Sequence, residues 1–450
     1  MINKIKGTKD YNFLEFDIKH MVTLIFEDIV IKHGFNFVET PIIEYKNLFV
    51  RSMQESEIVN KEIYEFKDKS EREISLRPEG TAPFVRAYIE NKWQQDTIQK
   101  FAYIQPMFRY EQPQKGRYRQ FYQAGIEHVG EKCYLKDAEA IIVAHEILEY
   151  LEVEHKILLN TIGDKESRKK YELALTEYFN KHLNELSEVS QKRVLTGKVL
   201  RILDDKNDSK KEIVKNAPKI YNYLTEESKE YFKNLKDTLD RFGIEYEVSP
   251  QLVRGLDYYD ETVFELVSTS EMSGSQSTLI GGGRYSNLIH ELGGPKNLSS
   301  IGFGMGVDRV IDVIRNKYIE RTNFNEEINY VDVFVSSSLG GQSKNQLFDL
   351  TYKHLVQVLN NVHFEYSTLK PKKVFEKAKK RNASILIYDD IKNEENLLTA
   401  KNLQTNDKII FSFNNQGVAD LLRFIEECDI SDLDVNNIEN YIEENLLKDE

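Results

Sequence analysis

With 450 residues, 40% of them hydrophobic and 30% charged, the chain has the composition of a soluble globular protein long enough for about two to four domains and a substantial core. A net charge of -13 argues against indiscriminate nucleic-acid binding, although a local basic face can still steer one phosphate backbone. Two distant cysteines, Cys133 and Cys428, and nine histidines without mutual ligand spacing lead us to expect neither a disulfide nor a metal site built from protein side chains.

The N-terminus has neither the basic start and apolar core of an export signal nor the unbroken apolar run of a membrane span, so a cytoplasmic chain without membrane contact is expected. Leu14, Ile18, Met21, Ile25 and Ile29 recur at helical spacing and Gly34 stands where such a helix would stop, predicting a helix over about residues 12–32. FNFVETPIIEY follows, a strand-like run whose Pro41 cannot donate a ladder hydrogen bond and suits an edge or a bulge. Residues 62–76 alternate as a hairpin around the charged KDKSERE. LRPEGT then leads into a helix with Thr81 as its expected cap and Pro83 in its first turn. Amides at such a start favour an anion, whereas Glu79 by itself reads as an ordinary solvent-facing carboxylate.

Two strand-like arms over residues 101–130 flank a turn centred on Pro113 and Gly116. Gln105, Met107, Arg109 and Glu111 share one face of the first arm, and Phe121, Gln123, Gly125 and Glu127 share one face of the second. The register can unite them into one polar surface, and Lys115, Arg117 and Arg119 on the loop suit phosphates. On spacing alone a solvated hairpin fits as well. Beyond it come a charged helix over 137–151, the strand KILLNTIG, and Lys- and Glu-rich amphipathic stretches at ESRKKYELALTEYF, 194–203 and 226–242, which form either an insertion or a helical layer of the same domain. SPQLVRGLDYYDETVFELVS places Arg254 before a glycine and ahead of Asp257, Tyr258 and Tyr259, where a surface ion pair with Asp257 is the plain alternative. GGGR at 281–284 allows close backbone approach or a mobile turn, and IGFGMGVDR sets glycines at every second residue before a helix. After a polar linker, residues 330–430 alternate as a mixed sheet covered by helices. The basic run at 370–381 suits phosphates or a solvated helix face, and the last twenty residues are acidic.

Four of these stretches resemble, in order, the motifs of the class II aminoacyl-tRNA synthetases: LRPEGTAP, the hairpin with FRYE and GRYRQF, LVRGLDYYDETVFE and IGFGMGVDR. The arginine followed by paired tyrosines is similar to the histidine-binding motif of the histidyl-tRNA synthetase family, and the resemblance is strong over residues 5–315. It implies an α+β catalytic domain with an antiparallel sheet of the class II synthetase type (1–163 and 244–320), a helical insertion (164–243), a linker (321–329), a C-terminal α/β anticodon-binding-like domain (330–430) and an acidic tail (431–450). It also implies a homodimer built around Pro41, ATP as substrate with accompanying Mg²⁺, and L-histidine and tRNA-His as partners.

By the same resemblance, Arg109 and Arg254 are the catalytic arginines on either side of the ATP α-phosphate, Arg254 partly replacing a metal ion, with Glu111 near the adenine and Arg309 at the terminal phosphates. Glu79, Thr81, Gln123, Glu127, Tyr258, Tyr259 and Tyr285 would line the histidine pocket, and the glycines of IGFGMG would leave a flat slot for adenine. Gln114 and Arg119 would meet the acceptor end of the tRNA. Gln112 departs from the family's usual arginine and Asp308 from its usual glutamate, a change expected to shorten one contact. A histidine–tRNA ligase working through histidyl-adenylate is therefore expected, ahead of a regulatory paralogue that senses histidine and of an RNA-binding protein without catalysis.

Overall fold

Alternating strands build the first of two units into an eight-stranded sheet, and both GGGR and IGFGMG lie in it. The computed structural model describes residues 2–52, 58–112, 116–203, 205, 207–253, 258–270, 278–321, 331–390, 397–428 and 435–447. The two units are Met1–Tyr318 and Ile319–Glu450.

Helix α1 (Phe13–Lys32) is capped by Asn12, whose side chain accepts from the Glu15 amide. The strand-like run after it does not form one strand. It splits at Pro41 into β1 (Asn36–Phe37), paired with the large sheet, and β2 (Ile43–Tyr45), an edge of a separate three-stranded sheet with Glu73–Leu76 at its centre and Glu65–Lys67 beyond. Helix α2 (Lys46–Ser52), β3 (Glu65–Lys67), β4 (Glu73–Leu76) and α3 (Thr81–Glu90) follow. The hairpin is β5 (Lys100–Phe108) and β6 (Gln120–Gly130), and α4 (Tyr134–Tyr150) leads to β7 (His155–Thr161).

Helices α5 (Lys165–Lys181), α6 (Glu188–Leu195), α7 (Leu200–Leu203) and α8 (Glu212–Lys215) share their own small core around Tyr171, Leu175, Phe179, Val194 and Ile202. The stretch 194–203 is not one helix, because Gly197 takes a left-handed φ of +76° and ends α6. Helix α9 (Glu226–Arg241) packs elsewhere, its Phe232, Leu235 and Leu239 entering the core under the large sheet. Residues 164–243 therefore do not pack as a single helical body.

The sheet is completed by β8 (Glu247–Val248), β9 (Asp260–Ser268), β10 (Thr278–Tyr285) and, after α10 (Leu288–Glu291), β11 (Ser299–Gly306), which runs into α11 (Val307–Arg321). Its order is β1-β5-β6-β11-β10-β9-β7-β8, antiparallel throughout except at the two short edge strands. Period-two alternation sorts its faces. Ala124, Ile126, Ile301, Phe303 and Met305 join Phe26, Ile141, Ile147, Leu235 and Ile311 of the helices in one core. The alternate residues Gln123, Gly125, Glu127, Gly302, Gly304 and Gly306 face the other way, in register across β6 and β11.

One buried ion pair crosses the helix-covered side. Arg284 of β10 and Asp137 of α4 are both fully buried, and Asp137 also accepts from Thr262 Oγ1 at 2.5 Å and Tyr231 Oη at 3.1 Å. Removing one partner of such a pair strands a charge in the interior and typically costs about 3–5 kcal/mol, so the pair locks α4, α9, β9 and β10 together.

The second unit has a sheet of order β13-β12-β14-β15-β16, from β12 (Val331–Ser336), β13 (Val362–Glu365), β14 (Ala383–Asp389), β15 (Leu397–Asn402) and β16 (Lys408–Ser412). β12 pairs in parallel with β13 and β14, and the remaining pairs are antiparallel. The acidic end is part of this body rather than a tail: Ile438, Ile442 and Leu446 are buried in the same core as Val333, Leu350 and Leu422.

Candidate active site

The hairpin register is the foundation of the site. Gln105 pairs with Gln123 and Tyr103 with Gly125, so the two arms do turn their chosen residues to one side. Gln105 is nevertheless used for structure: its Nε2 donates to Val38 O at 3.1 Å and its Oε1 accepts from Thr40 at 3.2 Å, tying β5 to the Pro41 segment. Gln123 remains on the open face, lying over Gly304, and its Oε1 is buried without a hydrogen-bond partner. A buried acceptor left unmatched by the protein suits a donor on a ligand.

The start of α3 differs from the expected cap. Glu79, not Thr81, satisfies the first helical amides, accepting from Thr81 N at 2.6 Å and Ala82 N at 2.7 Å. This frees the Thr81 hydroxyl to donate to Glu127 Oε1 at 2.8 Å. Tyr285 donates to Glu127 Oε2 at 2.5 Å, and Tyr103, which sequence reasoning missed, reaches Oε1 at 3.5 Å. Extending the period-two face by one residue from Gln105 would have found Tyr103. The phenol end of its ring packs against Gly80 and Gly125, where an added Cβ would stand 2.4 and 2.6 Å from it. Tyr259 lies likewise over Gly283, beside Tyr258 at 4.8 Å between ring centroids, and Tyr258 stands edge-on to Tyr285 at 5.7 Å. Two of the three glycines of IGFGMG are covered by the protein's own side chains, Gly302 by Glu127 and Gly304 by Gln123, whereas Gly306 meets only the stem of Arg309 at 3.4 Å.

Burial dominates the electrostatics at this end. It pushes the Glu127 carboxyl up to about 8, against the hydroxyls of Tyr285 and Thr81 that favour the anion. Burial also raises Glu79, opposed by the two backbone amides and by Arg109. The other end of the sheet face, where β5 and β6 meet the hairpin loop, is cationic. Arg109 stands just past β5, its Nε donating to Pro78 O at 2.8 Å and its guanidinium 5.2 Å from the Phe121 ring centre. Arg309, in the first turn of α11, donates to Thr278 O at 2.8 Å, and its guanidinium is held below its ordinary value by burial and by Arg117 and Arg109. Glu111 lies 3.8 Å from Arg109 and 3.2 Å from Arg117. Three converging guanidinium groups need an anion more than they need one another.

The N-terminal segment, for which the sequence carried no signal, braces this end. Gly7 O accepts from Arg119 N at 2.7 Å, and Asp308 takes the Tyr11 hydroxyl at 2.5 Å and the Tyr122 amide at 2.9 Å. Arg119 stacks its guanidinium 4.0 Å from the Tyr110 ring centre. Arg254 and Gln114 lie outside the described residues.

A buried acidic cluster suited to an ammonium and a cationic cluster suited to a polyphosphate thus lie on one face of an antiparallel sheet, and that sheet with its flanking helices is the fold of the class II aminoacyl-tRNA synthetases. The sequence profile described as histidyl-tRNA synthetase matches residues 8–310. A histidine–tRNA ligase of Mycoplasmopsis pulmonis is 40% identical over 94% of this chain and 98% of its own length, and that of Bacillus subtilis is 40% identical over 90% and 95%. The crystal structure of apo Staphylococcus aureus histidyl-tRNA synthetase superimposes with a TM-score of 0.75 at 32% identity, covering 95% of this chain and 99% of that one. A Bacillus halodurans structure titled ATP phosphoribosyltransferase regulatory subunit/histidyl-tRNA synthetase, at 19% identity and a TM-score of 0.59, shares the fold alone. The chain belongs to the histidyl-tRNA synthetase family.

Because Glu127 holds its proton more tightly folded than unfolded, its contribution to stability is complete below about 4.5 and is lost as pH rises to about 8. Over that window the loss amounts to about 5 kcal/mol. Glu127→Gln, which does not titrate, should therefore gain on the wild type between pH 5 and 8 in urea unfolding of the ligand-free protein. A difference that stays constant with pH would show that Glu127 titrates normally.

Proposed function

We propose that this pocket activates L-histidine with ATP, giving histidyl-adenylate and pyrophosphate, and then passes histidine to the 3′ end of tRNA-His. The observation that carries the reading is the pairing of opposite clusters on one sheet face. Glu127 and Glu79 take the ammonium, while Gln123 Oε1 and the tyrosines 258, 259 and 285 read the imidazole through directed hydrogen bonds. The substrate carboxylate is then aimed at the α-phosphate, which Arg109 draws in, while Arg309 holds the terminal phosphates and Glu111 lies by the adenine. Attack by a carboxylate oxygen on the α-phosphorus expels pyrophosphate, and charge on the equatorial oxygens is met by guanidinium groups already in place. Arg254 is assigned to the opposite side of that phosphate on its sequence motif alone. Mg²⁺ enters with ATP, and the carboxylates of Glu111 and Glu265 beside the guanidinium cluster are oxygen donors of the kind it takes.

The small sheet supports a homodimer. It exposes Ile43, Tyr45 and Phe66 next to the Pro41 segment, which Arg77 fixes by donating to Thr40 O at 2.5 Å and Pro106 O at 2.9 Å. The helices between residues 165 and 224 are assigned to the tRNA acceptor arm and the C-terminal unit to the anticodon, where the helix Pro371–Lys380 provides the lysines. No described helix is long and apolar enough to cross a membrane. A regulatory paralogue is disfavoured because Arg109, Glu111 and Arg309 are retained for a reaction it would not perform.

Histidine-dependent exchange of labelled pyrophosphate into ATP tests the reading, and its absence in well-folded protein would overturn it. Arg119 tests the assignment of the acceptor end, which it shares with Gln114. Arg119→Ala should leave exchange nearly intact and slow transfer to tRNA, with a salt dependence of tRNA binding reduced by about one phosphate contact. Equal losses in both half-reactions would instead make its stacking on Tyr110 a brace for the adenylation site.

A further inference from the structure

Spacing along the chain gave the histidines no common site, but the topology brings two of them together away from the pocket. His145 lies near the end of α4, Glu149 one turn later on the same helix, and His155 opens β7 after a tight turn. The candidate ligand atoms of these three side chains all lie within 4.8 Å of one another. His145 Nδ1 stands 2.9 Å from His155 Nε2, and His155 Nδ1 stands 2.7 Å from Val153 O. A carbonyl accepts only from an N–H. The proton of a neutral His155 is therefore on Nδ1, and its Nε2 lone pair points at His145. This is how imidazole ligands of metal ions are held, with the far nitrogen anchored to a backbone carbonyl.

The turn that presents them is fixed. Val153 N donates to Leu148 O at 2.8 Å and Leu151 N to Ile147 O at 3.1 Å, while the side chains of Leu148, Leu151 and Val153 are buried. We propose that His145, Glu149 and His155 bind a borderline divalent transition ion of the zinc type, with water completing a tetrahedral shell. Two imidazoles and one carboxylate suit such an ion, whereas Mg²⁺ and Ca²⁺ prefer oxygen alone. Metal–nitrogen bonds of about 2.0–2.1 Å separate two tetrahedral ligands by roughly 3.3 Å, so the imidazole pair need open by only a few tenths of an ångström. The proton on His145 Nδ1 moves to its Nε2 through solvent as the lone pair turns to the ion, and net charge on the ring is unchanged. The ion would clip the end of α4 to the start of β7. Helix α4 covers the core face of the sheet, so the site is separate from the adenylation chemistry and its role is to stabilise the catalytic unit.

Co²⁺ and Zn²⁺ added to the metal-stripped full-length protein, without histidine, test the proposal. We expect one ion per chain at micromolar affinity, visible Co²⁺ bands displaced by Zn²⁺, and a higher melting temperature with the ion. His155→Ala should weaken binding by at least about tenfold and abolish the thermal shift, while leaving histidine-dependent pyrophosphate exchange unchanged. Glu149→Ala, on an exposed side chain that folding does not require, should weaken binding several-fold. His182→Ala removes a separate histidine paired with Glu185 and should change nothing. Binding that survives both His155→Ala and Glu149→Ala, or that falls equally in His182→Ala, would overturn the site, as would the absence of Co²⁺ bands in the wild type.

Discussion

The hydrogen-bonded burial of Glu127 is the constraint on which the rest of the site depends. A carboxyl taken wholly out of water resists ionisation, and the hydroxyls of Thr81, Tyr285 and Tyr103 are arranged to make an anion tolerable there without making it the resting state. On the proposed reading the missing stabilisation comes from the substrate's ammonium. A pocket so built spends its buried acceptors on a cationic, hydrogen-bonding amino acid, and a side chain unable to match them is rejected without a separate editing site.

That arrangement explains the glycine pattern better than closeness of backbone to nucleotide does. The face carrying Glu127 is in register with Gly302, and a Cβ there would stand 2.2 Å from Glu127 Oε2 and 2.3 Å from Ile126 O. Gly125 and Gly80 leave room for Tyr103, Gly283 for Tyr259 and Gly304 for Gln123. Each glycine is the floor beneath one named side chain. The opposite face of the same strands carries the apolar residues that hold the helices, and the Arg284–Asp137 pair keeps that layer from shifting. Chemistry and core are therefore alternate residues of the same strands, and a slip of one residue would exchange them.

Much of this was legible in the sequence because it is local or periodic. The first helix, the hairpin and the single faces of Arg109 on one arm and of Gln123 and Glu127 on the other follow from spacing, whereas the union of those faces waited on the register. What spacing does not carry is pairing between distant segments. Nothing near Tyr11 indicates that its hydroxyl meets Asp308, or near Gly7 that its carbonyl meets Arg119. Pro41 was readable as a break, but not as the point where the chain changes sheets. The capping role passed from Thr81 to Glu79 because a buried carboxylate can satisfy two amides at once, and the acidic C-terminus hid an apolar stripe, Ile438, Ile442 and Leu446, that docks into a core.

The account rests on Glu127 being protonated in the free pocket and ionised against the bound ammonium. Calorimetry of L-histidine binding at pH 7, repeated in buffers of different ionisation enthalpy, measures this directly. Release of about one proton per histidine bound, lost in Glu127→Gln, is the predicted result. Binding by the wild-type protein with no proton exchange would contradict it.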